Sequence, residues 1–356
     1  MTHEEFFDYA AFTPPAPLAE TVTFAAIGLA HGHIYGMCHG LRRAGATLKY
    51  VFDQNPALVA QFQKQFPDVT VAASEEEILS DPAVQLVASA DIPALRAPLG
   101  VRVMQAGKDF LSDKAPLITF EQLDAIQAAA AATGRKFITY FGESVDAESM
   151  TFLYDRIERG MLGRVLNVMI SAPHVLNAPS RPDWFFRRED TGGVLIDIGS
   201  HQVHQFLKLT GNTTAAITSA RVANYRFPQY PGFDEAGDML LTGENGATAF
   251  LHISWDFPIG LGTWGDPRII IEAEKGYVEI RKNVNIGVDK TGEHVFFVTE
   301  EGTYHDSVQG KIGSTFFHRV LADVVNRTDT AVPLEETVAT MTLCLQAQTQ
   351  ALEGTI

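Results

Sequence analysis

The chain has 356 residues, of which 46% are hydrophobic and 20% charged, the mix of an ordinary globular protein; at roughly 150 residues per domain this is room for about two domains. A formal net charge of −16 argues against a general nucleic-acid or anionic-membrane binder, which needs a basic face, but leaves room for a small anionic ligand held by a few local donors. Only Cys38 and Cys344 are present, without a CxxC pair, which argues against thiolate metal centres and a disulfide framework and fits a reducing, cytoplasmic setting.

The opening MTHEEFFDYAAFTPPAPLAE, residues 1–20, is acidic and broken by prolines, and reads as an N-terminal extension without the basic and apolar regions of a signal peptide. No apolar run approaches the ~20 residues needed to cross a bilayer, so no membrane partner is expected. From residue 21 short apolar runs alternate with helical stretches. The runs are VTFAAIG (22–28), TLKYVFD (47–53), VQLVASA (84–90), DFLSDKAP (109–116) and KFITYFG (136–142). That alternation predicts a parallel sheet covered on both faces over 21–145. After residue 145 the pattern changes. A helix over 146–160 and the strand RVLNVMISAPHV lead into TSARVANYRF, AGDMLLTGENGATAFLHISWDF, RIIIEAEKGYVEIRK and EHVFFVTEEGTYH. The ENG and EKG turns mark hairpins, so an α+β domain with a large, mainly antiparallel open sheet is expected over 146–356. Helices near 312–327 and 334–353 close the chain, the last expected to pack back on the first domain.

FAAIGLAHGHIYG follows the first strand and opens a helix, where a Rossmann dinucleotide-binding domain places Gly-x-Gly-x-x-Gly. The three positions hold Gly28, Ala30 and His33. Gly28 supplies the tight turn, Ala30 lets the backbone approach a pyrophosphate, and Gly32 offsets the bulk of His33. His31 completes the loop, and the helix N-terminus offers unpaired N–H groups to phosphate. Asp53 ends the second strand, where a carboxylate accepts hydrogen bonds from ribose hydroxyls; it would repel a 2′-phosphate, which favours NAD over NADP.

GKDFLSDKAPL puts Lys114 at a strand's carboxyl end, the ligand edge of an open α/β sheet. TGGVLIDIGSHQVHQ (191–205) then spaces Asp197, His201 and His204 for one face of a helix. With the glycine loop, these segments resemble the Gfo/Idh/MocA oxidoreductases, a family that includes inositol dehydrogenases and glucose–fructose oxidoreductase. SDKAP is similar to the family's Glu-Lys-Pro, and GGVLIDIGSHQVH to its Gly-Gly-Gly and Asp-x-Gly-x-His-x-x-Asp pattern. The resemblance covers almost everything after residue 20. It implies a hydride transfer between NAD(P) and a secondary hydroxyl of a sugar or polyol, with Lys114, Asp197 and His201 as catalytic trio. It also implies cofactor contacts from Asp113, Ser89, Ala90 and Asp91, and assembly as a homodimer or homotetramer. Several positions depart from the pattern. Asp113 replaces Glu, Ala115 replaces Pro with Pro116 following, SADIPALR replaces Thr-Pro-Asn-x-x-His, and His204 stands where Asp is common.

Histidine suits proton removal at neutral pH, so His201 is the expected acid/base, with Asp197 orienting it or binding a hydroxyl and Lys114 stabilising the alkoxide. Glu143, His174, Trp184, Arg187, His204 and Trp264 are candidates for a polyol pocket. Three other readings remain open at this level: a metal-dependent hydrolase or lyase using Asp197, His201 and His204; an NAD-dependent glycosidase; and a dinucleotide-binding protein without turnover. No metal is expected in the redox reading.

Overall fold

Uninterrupted apolar runs become strands buried on both faces in the first half of the chain. The computed structural model describes every residue except 1, 11, 13, 14, 16, 17, 19, 355 and 356; those of the expected extension 1–20 among them lie outside the described residues. A short helix, α1 (His3–Phe6), precedes β1 (Thr23–Ile27), α2 (His33–Arg43), β2 (Thr47–Phe52), α3 (Pro56–Gln65), β3 (Thr70–Val71) and α4 (Glu75–Ser80). There follow β4 (Leu86–Ser89), α5 (Pro93–Gln105), β5 (Asp109–Asp113), α6 (Phe120–Thr133) and β6 (Phe137–Tyr140). The strands form one parallel sheet in the order β3-β2-β1-β4-β5-β6. This order reverses direction between β1 and β4, where open α/β sheets bind ligands. The two-residue β3 is too short to leave a periodic signal in the sequence. Local chemistry sets the helix ends: the Asn55 side chain caps α3 ahead of Pro56, and Thr119 caps α6, which stops at left-handed Gly134.

The second half runs α7 (Gly142–Val145), α8 (Glu148–Glu158), β7 (Val165–Pro173), α9 (Arg188–Thr191), α10 (Val194–Asp197), α11 (Gly199–Thr210), β8 (Ala215–Ala223), β9 (Ala236–Gly243) and β10 (Thr248–Ser254). It ends with β11 (Arg268–Ala273), β12 (Gly276–Arg281), β13 (His294–Thr299), β14 (Gly302–Ser307), α12 (Phe316–Asn326) and α13 (Leu334–Glu353). Eight strands order as β14-β13-β12-β11-β7-β10-β9-β8, antiparallel except where β10 runs beside β7. ENG and EKG make the β9–β10 and β11–β12 hairpins.

Alternation gives this sheet two different faces. Val168, Ile170, Met239, Leu241, Leu251, Ile253, Ile269 and Ile271 are buried on the side against which α10, α11 and α13 lie. Leu166, Met169, Leu240 and Phe250 stay exposed on the other. Helix α13 packs on β8 of the larger sheet and on β6 of the parallel one, where Thr337 Oγ1 donates to Thr139 Oγ1 at 3.0 Å, and Gln348 Nε2 donates to Asp234 of the β8–β9 connection at 2.9 Å. The N-terminal segment is also docked, with the Phe6 ring stacked 3.9 Å from that of Phe297 and the Arg156 guanidinium donating to the Phe6 carbonyl at 2.6 Å. Among the described residues no helix is long and apolar enough to cross a membrane.

Candidate functional site

The ends of β1, β2, β4 and β5 meet at one edge of the parallel sheet. Gly28, just past β1, has φ +78°, and a Cβ built on it would stand 2.6 Å from the Asp91 Cβ. Both the turn and the close approach require glycine. The next residue, Leu29, donates its amide to the Asp53 carboxylate at 2.7 Å, and His31 donates its amide to the Ala90 carbonyl at 2.8 Å. Asp53 and Asp91 thereby flank the loop; burial, then the Asp53 charge among other influences, raises the Asp91 pKa. Ser89 and Ala90 are fully buried; Ser89 Oγ accepts from the Asp91 amide at 3.3 Å, and Ala90 bonds the loop through its backbone. Among the described residues nothing accepts from the Ala30 or Gly32 amides, and the space where a Gly32 Cβ would stand is open. Free N–H groups at the start of α2 beside an open surface are what a pyrophosphate requires.

His33 does not crowd β1, because its ring turns to β5. His33 Nδ1 donates to Asp113 at 2.9 Å, and His31 Nδ1 lies 3.1 Å from the other carboxylate oxygen. The two histidines and the Arg96 guanidinium, 3.2 Å away, cover Asp113, which is wholly buried. Asp113 therefore faces this cluster instead of the open cleft, a correction to its expected cofactor contact. Burial opposes its ionisation, but His33, Arg96 and His31 hold the carboxyl well below its usual range. Burial, then His33, pushes His31 down to about 4, so its imidazole is neutral. His31, His33 and Asp113 are a metal-ligating type of group whose donor atoms lie within 4.8 Å of one another. Arg96 already balances the single carboxylate charge. The Lys114–Ala115 peptide bond is cis.

Lys114 Nζ donates to Asp197 Oδ1 at 2.8 Å, joining β5 to α10. Gly193, which precedes α10 with φ +99°, leaves room for Asp234, whose carboxylate would stand 2.5 Å from a Cβ there. Burial works against the Asp197 charge, yet Lys114 keeps its carboxyl below the usual range. His201, near the start of α11, is 2% exposed, with Nε2 3.9 Å from Glu143 Oε1 and Nδ1 buried without a hydrogen-bond partner. Burial lowers its pKa well below the ordinary histidine value, with Glu143 opposing. Glu143 is the hub of the second wall, 3.0 Å from His174 Nε2 and 3.6 Å from Lys282 Nζ. Burial works against its charge, but Lys282, foremost among its neighbours, keeps its carboxyl well below the usual range.

These groups border a cleft of about 810 Å3. Ala30, His31, Gly32, His33 and Lys114 line one side; Glu143, His174, Trp184, His201 and Trp264 line the other. Asp197, held by Lys114, is not part of this lining, and two of the expected pocket residues are elsewhere. His204 is buried behind the cleft, stacked 4.6 Å from Phe141, with Nδ1 2.7 Å from Ser144 Oγ and Nε2 3.0 Å from Glu336. Its nitrogens are satisfied there, so it contacts no substrate, and Asp197, His201 and His204 do not converge as a metal site. Arg187 is largely exposed and pairs with Asp190 at 2.5 Å, outside the cleft lining. The arginine that does line the cleft is Arg181, joined by Tyr140, Asp146, Trp255 and Lys282, none of which the motifs singled out. Arg181 lay within reach, three residues before Trp184; Arg96, in the middle of α5, carried no local signal.

Residues 151–279 match the model of the GFO/IDH/MocA C-terminal domain. A protein from Erwinia carotovora atroseptica, provisionally named an oxidoreductase, has a crystal structure that superposes with a TM-score of 0.90 at 42% identity, covering 93% of this chain and 98% of that one. The scyllo-inositol 2-dehydrogenase (NADP+) of Bacillus subtilis is 28% identical over 45% of this chain and 44% of its own length. The levoglucosan dehydrogenase of Pseudarthrobacter phenanthrenivorans is 25% identical over 62% of this chain and 59% of its own. The chain thus matches only about half the length of these two curated relatives. A levoglucosan dehydrogenase structure in complex with NADH and levoglucosan shares the fold, with a TM-score of 0.77 at 16% identity over 94% of this chain and 98% of that one.

Proposed function

The chain belongs to the GFO/IDH/MocA family, and from that premise we propose that it is an NAD-dependent oxidoreductase acting on a secondary hydroxyl of a sugar, polyol or related cyclic compound. The observation that carries this reading is the meeting of Lys114, from the end of β5, with His201, from α11, across one cleft whose near side is the Gly28 loop. Inositol and levoglucosan, the substrates in the relatives' names, are cyclic polyhydroxyl compounds.

The Ala30 and Gly32 amides suit the pyrophosphate, and Asp53 suits the adenosine ribose. A 2′-phosphate would approach both Asp53 and Asp91, so NAD is favoured, in contrast to the NADP+ in the inositol dehydrogenase's name. Bound nicotinamide supplies the hydride acceptor. His201, neutral at working pH, takes the hydroxyl proton at Nε2, and the nearby Glu143 carboxylate stabilises the imidazolium that forms. Lys114 donates to the oxygen as it gains charge. Asp197 is a positioning residue: it holds the Lys114 ammonium rather than the His201 ring.

The test is to identify any nucleotide released on denaturing the purified protein and to screen sugars and polyols for NADH formation. NADH binding with turnover of at least one such compound is expected. No nucleotide affinity and no nucleotide-linked turnover would overturn the proposal.

A further inference from the structure

Charged groups around the cleft are paired, with one exception. Lys114 bonds Asp197, and Lys282 lies against Glu143. Asp146 receives the Tyr140 hydroxyl at 2.6 Å, and Glu293 accepts from both donors of Ser149. Among the described residues, Arg181 is the one lysine or arginine lining the cleft without a carboxylate partner. Its Nε donates to the Leu176 carbonyl at 2.9 Å and one Nη to the Val175 carbonyl at 3.4 Å. Its Cζ stands 4.5 Å over the Phe185 ring and 5.2 Å over that of Trp255. The two rings and two carbonyls hold the guanidinium plane in place. A guanidinium has five N–H donors, so the remaining edge is free for a ligand. Burial lowers the Arg181 pKa, an unfavourable setting for a cation, and the Asp197 charge only partly offsets it.

A half-buried, fixed and uncompensated guanidinium is a receptor for an anion, and planar carboxylates fit it bidentately. Phosphate is less suited, because a dianion would meet one free cation in a cleft that also carries Asp146 and Glu293. Glu143 and Asp146 line the same cleft, with Glu143 Oε2 and Asp146 Oδ1 buried without hydrogen-bond partners. Resting on the oxidoreductase reading above, we infer that the substrate is a sugar acid, an aldonic or uronic acid whose carboxylate is bound by Arg181 while Trp184 and Trp264 cover its C–H faces.

The three tryptophans of the chain, Trp184, Trp255 and Trp264, all line this cleft, so their emission reports occupancy without turnover. The NADH-loaded protein is titrated with matched pairs: glucose and glucuronate, galactose and galacturonate, glucitol and gluconate, with glucose 6-phosphate as the phosphate arm. NAD reduction is measured for the same set. In at least one pair the acid should bind about tenfold or more tighter than its neutral partner, as a charge-assisted pair warrants. Arg181→Gln should abolish that preference through KM, while Arg181→Lys keeps part of it. Neutral sugars bound and oxidised as well as the acids, a preference for the phosphate, or a preference unchanged in Arg181→Gln would each overturn the inference and leave the oxidoreductase reading standing. Absence of any binding or turnover across the set, with no NADH affinity, would overturn both.

Discussion

His201 owes its chemistry to burial. A histidine whose pKa lies well below 6.5 is already the free base at neutral pH. The kcat/KM for alcohol oxidation should therefore stay flat as pH falls from 8 to 6.5, its acid limb beginning only below the ordinary histidine range; a limb centred near 6.5–7 would contradict this. Lys114→Ala and His201→Ala should each reduce kcat by about 10²–10⁴ while NADH still binds and the fold persists, since both groups act mainly in the transition state. Near-full activity in either variant would remove that residue from the mechanism. At the other end of the cofactor path, NADH should bind at least about tenfold tighter than NADPH, the scale of one unfavourable charge contact. Asp53→Ala should narrow the difference. Equal affinities in the parent protein, read by fluorescence titration, would overturn the NAD assignment.

Elements were legible in the sequence where they repeat a pattern and opaque where they borrow from neighbours. The five longer strands of the parallel sheet, the ENG and EKG hairpins and the two closing helices all follow from periodicity and turn chemistry, whereas β3 has only two residues to show. The spacing of Asp197, His201 and His204 was visible, but not that Ser144 and Glu336 would claim His204 from α7 and α13. Segment 181–187 likewise holds two arginines, and nothing in its pattern said that Arg181 and not Arg187 would line the cleft. Two predictions belong at this level. Helix α1 is anchored by a fully buried Phe6, so Phe6→Ala should cost about 3–5 kcal/mol, read as a lower midpoint in chemical denaturation; an unchanged midpoint would mean the segment does not dock in solution. Three histidines, His31 in the Gly28 loop and His201 and His204 on α11, all have lowered pKa values. As pH falls below 6.5 the unfolded chain takes up protons that the folded one refuses, so stability declines, the share due to His31 being complete by about pH 4. Thermal denaturation should show a lower Tm at pH 5 than at pH 7.5, and the reverse trend would contradict the buried neutral imidazoles.

Across the whole molecule, the outer face of the eight-stranded sheet carries Ile270, Met169, Phe250 and Leu240 in register on four adjacent strands. The last three are exposed, an apolar row that a second copy of the chain could cover. A dimer or larger assembly is expected in solution by light scattering, and Phe250→Glu should shift it to monomer; a monomeric parent protein would reject this use of the face. The cleft, in contrast, divides its labour between regular elements and the connections that join them. Lys114 and His201 sit on a strand end and a helix, joined by Asp197 and by α13 reaching across both sheets. The walls that would select a substrate, around Arg181, Trp264 and Lys282, come from connections between strands of the larger sheet. Such an arrangement is modular in descent: lineages can exchange those connections and acquire new substrates while the redox apparatus passes unaltered from ancestor to heir.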